Sequence, residues 1–287
     1  MGCLNSEGQF SHWFGNIHLS GPCNRSCYFC IGQHMMALDS LNNLDAWPLV
    51  GLPTFIYECH LRGITEVNLT GTNTDPMLYT KTAELHDYLR GTIPSLIFGV
   101  RTNGVAVLDH LERWTGFNKA SITICSLTPG VYEAMMGRGK PPNLAKIMAV
   151  SDSKDIKINV VLGPENVKTY DLFHTLDRLA ELGIKRVNLR EPYGQPHVGV
   201  PFKYKATEHR LGMPLYRWNG MEVLYWDVHY VEVESVNFYA NGRVSVDYPI
   251  TRGHDPTGEV KDQSHFPGGR VRAQWVHAIS PSTEPPA

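Results

Sequence analysis

The chain has little charge and no long apolar run. Charged residues make up 19% of its 287 residues, and the formal net charge is −2. Such a balance gives no sign of a basic surface for nucleic acid or for a membrane. No stretch approaches the roughly 20 apolar residues that a membrane helix needs. We therefore predict no nucleic-acid partner and no membrane partner.

The N-terminus also lacks the charged and apolar regions of a secretory signal. Gly2 and Ser6 fit the loose pattern for N-myristoylation, with Cys3 as a second acylation site, but a short unstructured start is the simpler reading. Cysteine is scarce, since six residues in a chain of this size do not make the disulfide framework of a small secreted domain. We expect a reducing, cytoplasmic setting, in which thiolate ligands are preserved.

Three of the cysteines form a compact motif. Cys23, Cys27 and Cys30 follow the spacing Cys-x3-Cys-x2-Cys, and Phe29 directly precedes the third. Three thiolates on one tight loop can bind three irons of a [4Fe–4S] cluster and leave the fourth iron open to another ligand. The alternative is zinc with His34 as a fourth ligand, although structural zinc sites prefer cysteine pairs that lie well apart.

Short apolar runs alternate with amphipathic stretches along the first two thirds of the chain. This alternation predicts strands that alternate with helices, and hence a parallel sheet. The predicted strands are Asn16–Ser20, Thr65–Thr70, Ser95–Arg101, Ala120–Cys125, Ile156–Leu162 and Lys185–Arg190. The predicted helices are 53–62, 80–90, 143–150 and 169–182. Because the usual closed barrel has eight strands, six units predict an α/β fold with an open (β/α)6 partial TIM barrel.

The composition changes after about residue 194, where aromatic residues and histidine become frequent. We predict a partial-barrel core over 1–194 and a β-rich extension over 195–287 that closes the barrel. Within the extension, Met221–Tyr239 and Arg243–Tyr248 flank a turn at 240–242, which predicts a β-hairpin.

The cysteine spacing, its position after the first strand and the aromatic Phe29 resemble the radical S-adenosylmethionine (SAM) superfamily, whose core is a (β/α)6 partial barrel. The resemblance extends over about 16–193. It implies a [4Fe–4S] cluster on Cys23, Cys27 and Cys30, SAM at the open iron, and a one-electron donor such as flavodoxin or ferredoxin. Reduction would cleave SAM to a 5′-deoxyadenosyl radical that takes hydrogen from a substrate. Phe29 would pack on the adenine or shield the cluster.

The resemblance also implies positions that contact SAM. The segment after the second strand keeps Gly71 of the family's Gly-Gly-Glu-Pro motif. Either Asp75 stands for the glutamate of that motif, or Thr72 and Asn73 make its contact. Asn103 lies in a Thr-Asn-Gly turn similar to that of the branch containing the molybdenum-cofactor cyclase and viperin. Further positions that the resemblance places near the ribose, carboxylate or adenosine of SAM are Ser126, Asn159 and Leu162.

Charged residues at the ends of predicted strands are candidates for catalysis. In barrels such positions often carry catalytic groups, so we predict this role for Arg101, Arg190 and Glu191, the alternative being that each only caps a loop.

The N-terminal half also resembles radical SAM proteins of nucleoside-antibiotic pathways, such as the tunicamycin enzyme. This implies a small polar substrate, such as a nucleoside or nucleotide sugar, that undergoes carbon–carbon bond formation, decarboxylation or rearrangement. A peptide substrate is the first alternative. A non-enzymatic iron–sulfur electron carrier or sensor is the second.

Overall fold

The structure is a computed structural model that describes residues 3–4, 10–11, 13–34, 41–151, 154–192, 195–196, 198–210, 212–227 and 234–246. The myristoylation pattern at Gly2 and the segment beyond 246 lie outside these residues, as does the side chain of His34.

Strands and helices alternate along the core as predicted. After a short hairpin of β1 (Cys3–Leu4) and β2 (Phe10–Ser11), the strands of the core are β3 (Phe14–Leu19), β4 (Glu66–Gly71), β5 (Ile97–Thr102), β6 (Lys119–Ile124), β7 (Asp155–Val161) and β8 (Arg186–Arg190). The α-helices are α1 (Leu52–Leu61), α2 (Thr82–Thr92), α3 (Leu111–Trp114), α4 (Pro129–Met136), α5 (Leu144–Ala149), α6 (Pro164–Val167) and α7 (Asp171–Glu181). Single 3₁₀ turns occupy Ile31–His34 and Pro76–Leu78.

Two helices end at the glycines that the sequence marks. Gly63 follows α1 with φ +61°, and Gly183 follows α7 with φ +76°. These left-handed conformations favour glycine, which has no Cβ to clash with the backbone. Each glycine turns the chain directly into the next strand of the sheet.

The C-terminal strands extend the same sheet at both of its edges. β11 (Met221–Trp226) pairs in parallel with β8, and β12 (Ser235–Phe238) pairs in parallel with β3. Antiparallel strands then continue outward, namely β10 (Met213–Trp218) and β9 (Glu208–Arg210) beyond β11, and β13 (Val244–Ser245) beyond β12. In the described part of the chain the order is β13-β12-β3-β4-β5-β6-β7-β8-β11-β10-β9.

The predicted α/β partial barrel is confirmed, since the sheet is mostly parallel and the described strands do not close it. The hairpin at 240–242 is present, with Phe238 opposite Val244. A second hairpin around Asn219 was not predicted, and Met221–Tyr239 contains two strands that join opposite edges. The alternation of apolar and polar residues identifies a strand, but it does not determine which edge of the sheet that strand will join. The domain division at 194 stays a prediction.

The two faces of the parallel sheet differ in polarity. Ile17, Val100 and Ile158 are buried on the face that packs against the helices. Because side chains of a strand alternate between its faces, the opposite face carries the intervening residues, and this inner face is polar. Its members include Asn16, His18, Asn68, Arg101, Ser121, Lys157 and Asn159. Among the described helices, none is long and apolar enough to cross a bilayer.

Candidate functional site

The three cysteines lie on the loop that follows β3, at the edge where the parallel strands end. Cys23 is exposed, whereas Cys27 and Cys30 are partly buried. Desolvation by the surrounding protein atoms raises the pKa of Cys23 to about 11 and that of Cys27 to about 12, and the neighbouring thiols act in the same direction. Without a metal these thiols stay protonated, so metal binding would release protons.

One side of the cysteine loop is bonded to the segment after β4. The Gly21 N–H donates to Asn73 Oδ1 at 3.1 Å, and the Thr74 hydroxyl donates to the Pro22 carbonyl at 2.6 Å. Gly32 packs on the same segment so closely that a Cβ would lie 2.7 Å from the Asn73 Cα. The position of the loop therefore depends directly on the end of β4.

The other side of the loop packs on the end of α4. The Ser26 N–H donates to the Met136 carbonyl at 3.2 Å. Gly137 has φ +80°, and a Cβ there would overlap the Ser26 hydroxyl. The Arg25 guanidinium lies 5.8 Å from the centre of the Tyr132 ring. The loop is thus held between two elements that follow different strands.

An apolar cluster backs the loop. Phe29 and Tyr28 meet edge to face at 5.4 Å, and together with Cys27 they pack against a cluster that contains the buried Cys125. The Tyr28 hydroxyl donates to Glu165 Oε2 at 3.0 Å. Burial and this carboxylate raise the pKa of Tyr28. The predicted position of Phe29 beside the cysteines fits a role in keeping water from them.

Asp75 joins the ends of β4 and β5. Its carboxylate is 3% exposed and accepts hydrogen bonds from the Met77 N–H at 2.9 Å, the Asn103 N–H at 2.6 Å and the Thr102 hydroxyl at 2.9 Å. Burial raises the pKa of Asp75, and these bonds oppose the shift. Both Asp75 oxygens already have donors, but Asn73 Oδ1 also accepts from the Ser20 hydroxyl at 2.8 Å and from the Gly21 N–H at 3.1 Å. The choice between Asp75 and Thr72 with Asn73 for the SAM contact therefore stays a prediction.

The neighbouring predicted residues also support the loop. The Asn103 amide donates to Asn24 Oδ1 at 2.6 Å, and Asn24 directly follows Cys23. The Thr72 hydroxyl donates to the carbonyl at the end of β3 at 3.0 Å. Gly71 forms a turn so tight that a Cβ would overlap the Thr74 carbonyl. The structure therefore brings these residues together at the cysteines, while their contacts to SAM stay predictions.

The last predicted SAM contacts lie in three different environments. The buried Ser126 hydroxyl accepts from the Thr128 N–H at 2.8 Å and closes the turn before α4. Leu162 is buried in the core on the helix side of the sheet. Asn159 donates to the Ser121 hydroxyl at 2.8 Å, but its buried Oδ1 has no hydrogen-bond partner in the structure as described. Asn159 therefore retains an acceptor for a ligand that enters the inner face.

Two of the three predicted catalytic residues lie on the inner face. The Arg101 guanidinium is 5.4 Å from the centre of the Phe14 ring, and Arg190 occupies the last position of β8. Glu191 has another environment, because its carboxylate accepts from the Gly199 N–H at 2.6 Å and the Tyr225 hydroxyl at 2.8 Å. These bonds anchor the segment after β8. A catalytic role for these three residues stays a prediction.

Lys157 and Ser121 on the inner face were missed by the sequence reasoning. Burial, followed by the charges of Arg101 and Arg190, lowers the pKa of Lys157 to about 7. A signal was present, because β6 and β7 carry polar residues at every second position. Parallel strands covered on both faces are normally apolar throughout, so this alternation marks a polar interior.

Three thiols grouped on one loop are the donor set that three irons of a cubane need. No three His, Cys, Asp or Glu side chains within the described ranges converge on one metal position. The side chain of His34, the fourth ligand of the zinc alternative, lies outside the described residues, so the choice between the two metals stays a prediction. Asn159 Oδ1, which has no hydrogen-bond partner among the described residues, is suited to accept a hydrogen bond from a ligand bound on the inner face beside the cysteine loop.

Solved structures of other proteins are similar to this chain to different degrees. *Streptococcus suis* SuiB bound to its precursor peptide SuiA matches with a TM-score of 0.50 and 16% identity, over 63% of this chain and 39% of SuiB. SuiB bound to S-adenosylmethionine matches with a TM-score of 0.49 and 17% identity, over 68% and 41%. Coproporphyrinogen III oxidase (HemN) from *Escherichia coli*, a radical SAM enzyme, matches with a TM-score of 0.43 and 18% identity, over 65% and 45%.

The chain thus spans about two fifths of the length of SuiB. No protein-family model matches it, and no curated protein matches it in sequence. The similarity to SuiB confirms the fold that the predicted resemblance implies.

Proposed function

We propose that the chain is a radical SAM enzyme in which Cys23, Cys27 and Cys30 bind a [4Fe–4S] cluster and the inner face binds a small polar substrate. The observation that carries this proposal is the cysteine loop, held by the ends of β4 and α4 at the edge where the strands end. The inner face directly below the loop supplies polar side chains for a substrate. The shared fold supports the same assignment.

When bound, the cluster and SAM supply a 5′-deoxyadenosyl radical by one-electron reduction, and this radical abstracts hydrogen from the substrate. The chain's own residues position the two groups. Asn159 Oδ1 would accept a hydrogen bond from SAM, and the cluster of apolar side chains behind Phe29 would exclude water. The exposed Cys23 marks the side on which a flavodoxin or ferredoxin would deliver the electron. A reducing cytoplasm suits these thiols.

The substrate that we favour is a nucleoside or nucleotide sugar, as in nucleoside-antibiotic biosynthesis. The reaction would be carbon–carbon bond formation, decarboxylation or rearrangement. A peptide is the second candidate, because SuiB, which shares the fold, has been solved with its precursor peptide. The two candidates differ in size, so the dimensions of the inner face discriminate between them.

Anaerobic reconstitution with iron and sulfide tests the function. We expect about four irons per chain and, with dithionite and SAM, formation of 5′-deoxyadenosine measured by chromatography. A fully loaded cluster without that product would contradict the enzyme and favour an electron carrier or sensor. Zinc in the purified protein in place of iron would contradict the cluster itself.

A further inference from the structure

Three side chains form a row across the inner face. Ser121 on β6 lies opposite Arg101 on β5 and also opposite Lys157 on β7. Neighbouring strands lie about 4.8 Å apart, so the two ends of the row are about 10 Å apart at the backbone. A guanidinium, a hydroxyl and an ammonium therefore border one space. We call Arg101, Ser121 and Lys157 the inner-face row.

A cavity of about 100 Å³ opens onto the inner-face row. This volume accommodates several water molecules or one tetrahedral anion. Charged residues in its lining are four cations and two carboxylates, namely Arg101, Lys119, Lys157, Arg186, Glu66 and Asp155. Glu66 pairs with Lys119 and Asp155 pairs with Arg186. The cavity therefore keeps a net charge of +2 when all of these groups are ionised.

The two remaining cations have no carboxylate partner. Neither Arg101 nor Lys157 forms an ion pair with any residue that the structure describes. The Arg101 guanidinium lies 5.4 Å from the centre of the Phe14 ring, and its N–H donors have no hydrogen-bond partner among the residues that the structure describes. The Ser121 hydroxyl accepts from Asn159 and retains its own proton for donation.

The electrostatics of Lys157 agree with this geometry. Burial and the nearby positive charges lower the pKa of Lys157 to about 7, and an anion in the cavity would raise it again. The charged groups that face Lys157 or share its cavity are Arg101 on β5, Lys119 on β6, Arg186 and Arg190 on β8, Asp155 on β7 and Glu66 on β4.

We propose that the inner-face row binds the phosphate group of a phosphate-monoester substrate. A phosphate monoester carries a charge of about −1.5 to −2 at neutral pH, which matches two unpaired cations better than a single carboxylate does. Its oxygens also accept the fork of N–H donors that arginine offers and the hydroxyl proton of Ser121. This inference deepens the proposed function, on which it rests, by naming the substrate class.

The position of the row sets the length of that substrate. Lys157 precedes Val161, the last residue of β7, by four positions, which is about 13 Å along a strand. The cysteine loop lies at this strand-end edge. A phosphate held at the row would therefore place the opposite end of a nucleotide or sugar phosphate below the cysteines.

Sulfate is a suitable probe, because its charge does not change between pH 6 and 8.5. In the reconstituted full chain at pH 6, we expect sulfate at roughly twenty times its Kd to raise Tm by about 3 °C over chloride at equal ionic strength. Lys157→Met and Arg101→Met should lose this shift, and Ser121→Ala should weaken binding severalfold. The exposed Lys146→Met is the matched control and should keep the full shift.

Raising the pH to 8.5 should weaken sulfate binding by the wild type, as Lys157 loses its proton, and leave Lys157→Met unaffected. Inorganic phosphate should compete with sulfate. The proposal is overturned if Ser121→Ala and the two methionine variants retain the wild-type shift, or if chloride matches sulfate. A wild-type chain that forms 5′-deoxyadenosine without responding to sulfate would overturn the phosphate site alone. A sulfate response without 5′-deoxyadenosine would instead contradict the proposed function.

Discussion

At the scale of single residues, the cysteines divide into two groups with different environments. Cys27 lies on the loop beside two further thiols, whereas Cys59 is fully buried in α1 within the main core. The first environment suits a metal ligand, and the second suits a small apolar side chain. This contrast allows a matched pair of substitutions.

We expect Cys27→Ser to lose the cluster, because serine does not replace the thiolate as an iron ligand, and 5′-deoxyadenosine formation should fall below detection. Cys59→Ala should retain iron and activity, at a cost of about 1 kcal/mol in the free energy of unfolding. Iron and sulfide assays with visible absorbance check both. Equal iron contents in the two variants would contradict the ligand assignment.

Lys157 gives the fold a specific dependence on pH. Its pKa is lowered to about 7 in the folded chain from an ordinary value of 10.5. Between these two values the unfolded chain binds more protons, so stability rises with pH across that window. Below pH 7 both states are protonated and the folded chain carries the full penalty.

In buffer without phosphate or sulfate, Lys157→Met should therefore raise Tm relative to the wild type at pH 6, with a smaller gain at pH 9. Thermal unfolding at the two pH values measures this difference. The exposed Lys146→Met is the control and should show no such trend. If Lys157→Met raises Tm equally at both pH values, the effect of the substitution comes from the burial of the side chain and not from its charge.

At the scale of elements, the close packing of α4 on the cysteine loop determines the loop's position. Gly137 and Gly183 both have φ near +80°, at +80° and +76°. A Cβ at Gly137 would overlap Ser26, whereas a Cβ at Gly183 has no atom of another residue within 4 Å. A substitution therefore strains the backbone at both positions, and more so at Gly137, where φ +80° is combined with ψ −179°. Only Gly137 adds a clash.

Gly183→Ala should cost about 1 kcal/mol from the positive φ, and Gly137→Ala about 1–3 kcal/mol, because its combination of φ and ψ is one that only glycine adopts readily. Only Gly137→Ala should also displace the cysteine loop and lower the iron bound after reconstitution severalfold. Iron assays and urea unfolding separate the two effects. Equal iron contents would show that the loop adjusts without help from α4.

Asp75 connects two strand ends through a carboxylate that accepts an N–H on each oxygen. In Asp75→Asn the amide NH₂ faces one of these donors in either orientation, which should cost about 1–3 kcal/mol. Asp45→Asn is the control, because Asp45 is exposed and accepts from the Thr80 hydroxyl. Urea unfolding compares them, and an unchanged midpoint for Asp75→Asn would show that the buried network can rearrange.

Local sequence patterns were sufficient for most elements but not for the parts that hold the site together. β3 to β8, α1 and α7 follow from apolar periodicity and glycine caps, which depend on neighbouring residues only. α4 was missed although Pro129 marks its start, because it is short and largely apolar. The bracing of the loop by α4 and Asp75 depends on contacts between distant segments, which local patterns do not record.

The inner-face row was missed for a related reason. Arg101 was selected because it ends a predicted strand. Lys157 lies within a strand, where the alternation of polar residues indicates a polar face but does not single out one functional residue. The proximity of Arg101 and Lys157 follows only from the ladder registers that place Ser121 between them. Register is a property of the assembled sheet, so single strands do not reveal it.

At the scale of the whole molecule, the two sheet edges depend on C-terminal strands in different ways. β12 covers the edge of β3, the strand that leads into the cysteine loop, and its Phe238 packs against Phe55 of α1 with ring centres 6.0 Å apart. At the other edge, Phe173 of α7 stacks on Trp218 of β10 at 5.3 Å. The first contact lies beside the strand that leads into the cysteine loop, and the second lies at the opposite edge of the sheet.

Phe238→Ala should destabilise the chain by about 3–5 kcal/mol and selectively speed amide hydrogen exchange in Phe14–Leu19, because the ring is fully buried and β12 covers that strand. Iron binding should weaken in parallel. Phe173→Ala should leave exchange in Phe14–Leu19 unchanged. Exchange that rises uniformly over the sheet in both variants would show that the edges unfold together, and the cysteine loop would then depend on the stability of the whole fold and not on β12.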